Sequence, residues 1–112
     1  MDDDEARELL TAERTRLERL LRDAIGSGRD DRSAANEPGD MTDSAEPLTT
    51  QQTDDAVAAG LRDRLEAVGR AEQRLAAGTF GRSVQSGLPI HDERLRADPA
   101  AELTVEEAEQ AR

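Results

Sequence analysis

Two stretches of this chain place apolar residues every three or four positions, and a long polar segment separates them. The first covers about residues 3–25 and the second about residues 53–77. Such spacing puts side chains on one face of an α-helix, so each stretch predicts an amphipathic helix. Two helices of similar length favour an antiparallel hairpin packed along its apolar stripes. The pattern therefore predicts a mainly α protein whose residues 1–77 form a two-helix coiled-coil hairpin.

The ends of these helices are predicted from local residues. Asp3 and Asp4 lie where the positive end of the first helix favours anions, and Gly26 and Gly28 predict its end. Residues 26–52 are rich in Gly, Ser, Asp, Asn, Pro and Thr, which predicts a polar tip loop. One polar residue, Glu72, interrupts the apolar seam of the second helix. The rest of that seam comprises Ala58, Leu61, Leu65, Val68 and Leu75.

The composition limits both the core and the chemistry. The 112 residues include one Phe, no Trp or Tyr, and 35% hydrophobic against 37% charged residues, so only a small core can form. The absence of cysteine excludes disulfides, thiolate catalysis and cysteine-ligated metal. No combination of nucleophile, base and metal ligands can be assembled from the remaining residues. We therefore expect no enzymatic activity.

Charge and hydropathy set expectations for partners and location. The formal net charge is -11, whereas binding to a nucleic-acid backbone needs a concentrated basic face. The N-terminus is acidic where a secretory signal is basic, and no 18-residue apolar run occurs. These features predict a soluble, cytoplasmic protein without direct DNA binding or membrane association, and a monomer is favoured.

Residues 78–112 differ in character and predict a small knob. Glycines mark two turns, a short helix is expected over Asp92 to Ala97, and a C-terminal helix follows. Thr104 and Glu107 have capping-box spacing at the start of that last helix. The predicted apolar residues of the knob are Phe80, Val84, Leu88, Ile90, Leu95, Leu103 and Val105.

The knob resembles the zinc-finger end of the DksA/TraR family. In that family, Gly-Thr-(Phe/Tyr)-Gly-x-Cys-x-x-Cys-Gly-x-Pro-Ile precedes Arg-Leu-x-Ala-x-Pro-x-Ala-x-x-Cys-x-x-Cys. Here the matching segments are Gly78-Thr79-Phe80-Gly81-Arg82-Ser83-Val84-Gln85-Ser86-Gly87-Leu88-Pro89-Ile90 and Arg94-Leu95-Arg96-Ala97-Asp98-Pro99-Ala100-Ala101-Glu102-Leu103-Thr104-Val105-Glu106-Glu107.

The resemblance implies a degenerate zinc finger, because other residues replace the four cysteines. Ser83, Ser86, Thr104 and Glu107 occupy those positions. Hydroxyls are poor zinc ligands beside thiolates, and one carboxylate cannot complete a tetrahedral site. We therefore expect no zinc and no other cofactor.

The resemblance extends to the predicted tip. Well-known family members carry Asp-x-x-Asp-x-Ala about forty residues before the Phe/Tyr-Gly turn, and here Asp40, Asp43 and Ala45 lie at that distance before Phe80. In the family this tip enters the secondary channel of RNA polymerase, where its acidic residues act near the active-site magnesium. The resemblance thus implies a transcription regulator that binds RNA polymerase.

Two further expectations follow from the alignment. Basic positions of members that respond to guanosine tetraphosphate fall on Ala67, Asp98 and Ala108, so we expect no such response. Aspartates in a polar loop are also common solvated turn formers. The alternative function is a coiled-coil interaction or dimerisation module that has lost polymerase regulation.

Overall fold

The computed structural model describes the backbone of residues 1–35 and 46–111 and the side chains of residues 1–26 and 54–111. These residues form four helices: α1 (Asp3–Ala35), α2 (Glu46–Ala77), α3 (Asp92–Ala97) and α4 (Val105–Gln110). Helices α1 and α2 pack against each other as a hairpin, and residues 78–111 form the knob. The mainly α prediction is confirmed. Within the described part of the chain, no helix is both long and apolar enough to span a membrane.

The helices of the hairpin are longer than predicted. The predicted bounds of the tip loop, residues 26–52, are therefore wrong at both ends. Helix α1 continues past Gly26 to Ala35, and α2 begins at Glu46 rather than near Thr53. A glycine costs a helix interior only about 1 kcal/mol relative to alanine, which a long helix tolerates. Pro47 lies in the first turn of α2, where its missing N–H would have no intrahelical partner anyway.

The start of α1 and the end of α2 follow ordinary capping chemistry. Asp2 caps α1 by accepting a 2.7 Å hydrogen bond from the Glu5 backbone N–H. Gly78, with φ +80°, follows α2, and its N–H donates to the Leu75 carbonyl at 3.2 Å. The Thr79 N–H donates to the Arg74 carbonyl at 2.8 Å. Together these two bonds form a Schellman motif, which ends α2 at Ala77 as the sequence predicts.

The hairpin core is narrow and lies between α1 and α2. Its buried residues are Leu10, Leu17, Val68 and Ala71. Ala71 is fully buried although it lies outside the predicted seam. The predicted break in the seam, Glu72, is partnered by Arg14, which donates from Nε at 3.3 Å and also from Nη2. An interhelical ion pair thus occupies a seam position.

The knob has its own small core of Ile90, Leu95 and Ala101, and Met1 and Phe80 pack against it. Phe80 also contacts the hairpin core, so it connects the two. Helix α3 has the predicted bounds. The predicted apolar core of the knob needs correction, since the loop and the start of α4 turn three of its members outward. These are Val84, Leu88 and Val105, with exposed fractions of 57%, 58% and 40%.

Candidate functional site

The proposed tip residues Asp40, Asp43 and Ala45 lie outside the described residues. They belong to the segment that joins α1 to α2. The degenerate ligand positions of the knob, in contrast, are all described.

The first two degenerate positions lie in a tight loop between Gly81 and Ile90. The ends of this loop are held by an antiparallel bridge between Arg82 and Pro89. Ser83 is buried, and its Oγ accepts hydrogen bonds from the backbone N–H groups of Gln85 at 3.1 Å and Ser86 at 3.2 Å. The Ser83 hydroxyl therefore satisfies two backbone donors in a turn where a metal-binding thiolate would lie in the family pattern.

The other two positions form the predicted capping box of α4. Thr104 Oγ1 accepts a 3.2 Å hydrogen bond from the Glu107 N–H, and Glu107 Oε1 accepts a 2.9 Å bond from the Thr104 N–H. The box is confirmed in both directions. Thr104 is buried, so the start of α4 is fixed inside the knob.

The pKa of Glu107 shows that the loop pair, Ser83 and Ser86, lies beside the capping-box pair, Thr104 and Glu107. The hydroxyl of Ser83, then that of Ser86, then the backbone of Thr104 stabilise the Glu107 carboxylate and lower its pKa from 4.5 to about 2. All four degenerate positions therefore meet in one polar cluster around an ionised carboxylate. We call Ser83, Ser86, Thr104 and Glu107 the carboxylate cluster.

The carboxylate cluster does not fit a structural zinc ion. Its Ser83 and Thr104 oxygens already accept backbone hydrogen bonds, and Glu107 is the single anionic member. Structural zinc needs four soft or basic ligands in a closed tetrahedron. Among the residues that the structure describes, no group of three or more His, Cys, Asp or Glu side chains is arranged to hold a metal ion.

A cleft of about 260 Å³ opens between the hairpin and the knob. Ala67 and Asp98, two positions where responsive family members carry basic residues, both line it. Carboxylates of Glu13 and Glu102 also face this cleft. Arg64 and Arg94 are its cationic members, so the wall is mixed in charge.

Comparison with known proteins identifies the architecture. No protein-family model matches the chain. The structure of transcription factor DksA2 from Pseudomonas aeruginosa superposes with a TM-score of 0.82 and 28% sequence identity, over 97% of this chain and 81% of that one. The fold is DksA-like.

A shorter stretch resembles a second protein. Over 66 residues, 59% of this chain, the sequence is 41% identical to general stress protein 16O of Bacillus subtilis strain 168. The match spans 40% of the length of that protein.

Several residues that join the hairpin to the knob could not be recognised from the sequence. Glu102 accepts hydrogen bonds from Arg70 and Arg74, and Arg96 donates to Glu5. Charged residues make up 37% of the chain, so these partners do not stand out by type or spacing.

Proposed function

We propose that this protein is a member of the DksA/TraR group that regulates transcription by binding RNA polymerase in the cytoplasm as a monomer. The observation that carries the proposal is the superposition on transcription factor DksA2 over 97% of the chain. The Gly78 to Ile90 and Arg94 to Glu107 landmarks support it independently. In this proposal the protein is not an enzyme and does not bind DNA directly.

The proposed contact is the segment between α1 and α2, inserted into the secondary channel. Asp40 and Asp43 would bring negative charge near the catalytic metal or its basic surroundings, and Ala45 would pack where a larger side chain does not fit. Charges interact strongly in a confined channel where little water screens them. Helices α1 and α2, of 33 and 32 residues, provide the length to carry this segment away from the knob.

The knob is proposed to fold without zinc or another cofactor. The carboxylate cluster supports this, since the Ser83 and Ser86 hydroxyls of the loop stabilise the ionised Glu107 of α4, whose capping box includes Thr104. In a zinc finger the metal makes the corresponding connection and supplies folding free energy. A response to guanosine tetraphosphate is not proposed, because the positions aligned with basic residues of responsive family members hold Ala67, Asp98 and Ala108.

The decisive experiment is co-elution with core RNA polymerase from the same organism, followed by in vitro transcription. We expect the wild-type protein to bind and to change transcript yield. An Asp40→Asn/Asp43→Asn variant should bind but lose most of the effect. The matched control is Asp54→Asn/Asp55→Asn, which removes the same charge from α2.

The alternative is a coiled-coil interaction or dimerisation module. It is favoured by apolar side chains that the hairpin leaves exposed, namely Leu20, Ile25 and Val57. This alternative predicts no co-elution at micromolar concentration, together with a dimer in sedimentation equilibrium. Equal effects of the two double variants on transcription would also contradict action through the tip.

A further inference from the structure

Glu102 joins the knob to α2 through its side chain. Arg70 donates to it from Nε and Nη2, both at 3.1 Å, and Arg74 donates from Nη1 at 3.4 Å. Two parallel N–H···O bonds from one guanidinium fix the direction as well as the distance of a carboxylate. The backbone carbonyl of Glu102 meanwhile accepts a 2.9 Å bond from the Val84 N–H in the Ser83 loop. Glu102 is thus a junction between α2 and two segments of the knob.

The knob is joined to α1 by a second set of charges. Arg96 of α3 donates to Glu5 at 3.0 Å, and the Met1 ammonium group contacts the Asp92 carboxylate at 3.1 Å. The knob therefore has ionic contacts with both helices of the hairpin.

Few apolar side chains join the hairpin to the knob. Phe80 and Ala100 of the knob pack on the hairpin core, and Met1 packs on the knob core. Beside them lies the cleft of about 260 Å³, so part of this junction is unfilled. A closely packed contact allows the hairpin and the knob few relative orientations. Where a cleft interrupts the contact, the angle between them depends more on the polar contacts.

We propose that Glu102, held by Arg70 and Arg74, is a positioning residue that fixes the angle between the hairpin and the knob, so that both engage one partner at once. This inference rests on the proposed function for the identity of the partner. A partner that contacts both parts gains affinity when the angle is set before binding, because no orientational freedom is lost on contact.

The exposed fractions of Arg70, Arg74 and Glu102 bear on whether these ion pairs stabilise the fold or only set the hairpin–knob angle. The Arg70 side chain is 49% exposed, that of Glu102 is 30% exposed and that of Arg74 is 16% exposed. The Arg70–Glu102 pair is exposed enough to contribute little to the free energy of unfolding, and Arg74 is the more buried partner. Loss of the Glu102 charge should therefore leave the protein folded while widening the range of hairpin–knob angles.

The absence of cysteine allows a direct measurement of the angle. Ala59→Cys on α2 and Glu109→Cys on α4 place one spin label on each part, both at exposed positions. We expect a narrow distance distribution by pulsed electron resonance in the wild-type background. Glu102→Gln and Arg70→Gln should each broaden it, and the double variant should add nothing more. Arg70→Lys keeps the charge but not the two-bond geometry and should give an intermediate width.

The control is Glu8→Gln, which removes an exposed carboxylate of α1 and should leave the distribution unchanged. The melting temperatures of all variants should stay within a few degrees of the wild type. An unchanged width in Glu102→Gln overturns the proposal. Equal broadening in Glu8→Gln also overturns it, because the effect would then follow net charge alone.

A titration of polymerase tests the consequence. Glu102→Gln should raise the concentration for half-maximal effect by roughly three- to tenfold without changing the maximal effect. Broadening without this shift would refute the positioning role while leaving the proposed function intact. Failure of the wild-type protein to bind polymerase would refute the proposed function, and the distance measurement would still decide the role of Glu102 in setting the angle.

Discussion

At the residue scale, the Glu107 carboxylate connects the Ser83 loop of the knob to α4. Glu107 is stabilised by the Ser83 hydroxyl, the Ser86 hydroxyl and the Thr104 backbone, and its pKa falls from 4.5 to about 2. A carboxyl group whose pKa is lower in the folded state stabilises the fold above its unfolded pKa. That stability is lost as the pH falls through the folded value. The window for Glu107 therefore runs from about pH 4.5 down to about pH 2.

Replacing Glu107 by Gln should remove this pH dependence. We expect a lower free energy of unfolding for Glu107→Gln at pH 7, and a smaller loss than the wild type shows between pH 4.5 and pH 2. Urea denaturation followed by circular dichroism at several pH values measures both. Glu109→Gln, at an exposed position of α4, is the control and should behave as the wild type. Parallel curves for all three proteins would show that the cluster does not respond to acid.

Ser83→Ala should be more harmful than Ser86→Ala. The first removes the buried hydroxyl that accepts from both the Gln85 and the Ser86 N–H groups, and two such bonds together contribute about 1–3 kcal/mol. Ser86 is exposed, and its Oγ accepts from the Leu88 N–H at 3.2 Å, which water can replace. Urea midpoints of the two variants test this order, and the reverse order would contradict it.

At the scale of elements, the two glycine positions in and after α2 have opposite requirements. Gly60 lies within α2 with open space where a Cβ would be. Gly78 has φ +80° in the Schellman motif, a backbone conformation that costs other residues about 1–2 kcal/mol. The same substitution should therefore have opposite signs at the two positions.

We expect Gly60→Ala to stabilise the protein by about 0.5–1 kcal/mol and Gly78→Ala to destabilise it by about 1–2 kcal/mol. Thermal unfolding of each single variant measures the sign directly. A destabilised Gly60→Ala would indicate an unrecognised contact on the outer face of α2.

The helical elements also show what sequence reasoning can and cannot reach. Caps and left-handed glycines are local signals, so the end of α2 at Ala77, the bounds of α3 and the capping box of α4 were predictable. The end of α1 at Ala35 was not, because glycine weakens a helix without forbidding it. The exposure of Val84 depends on loop geometry that no periodicity describes.

Part of the candidate site could likewise be predicted from the sequence and part could not. The register of Ser83, Ser86, Thr104 and Glu107 follows from the family resemblance, and the structure adds that the other three positions stabilise the Glu107 carboxylate. The junction at Glu102 depends on which arginines face it in three dimensions, so spacing along the chain could not reveal it.

At the scale of the whole molecule, the proposed independence from metal should be measurable. A protein that folds through structural zinc unfolds when a chelator removes the metal. We expect the melting temperature of this protein to be unchanged by excess chelator and by added zinc. The measurement is differential scanning calorimetry after dialysis, with metal analysis of the dialysed sample. Zinc retained at equimolar level, or a melting temperature that falls with chelator, would contradict this expectation.

The contact between Arg96 and Glu5 joins residues that are 91 positions apart in the chain. A ribosome adds about 5–20 residues per second, so Glu5 is incorporated roughly 5 to 20 seconds before Arg96. Until residues 46–77 have been made, the apolar face of α1, including Leu10 and Leu17, has no α2 to cover it. The first turn of α1 is thus synthesised early and reaches its native neighbours in α3 among the last, after the hairpin partner α2 has already been made.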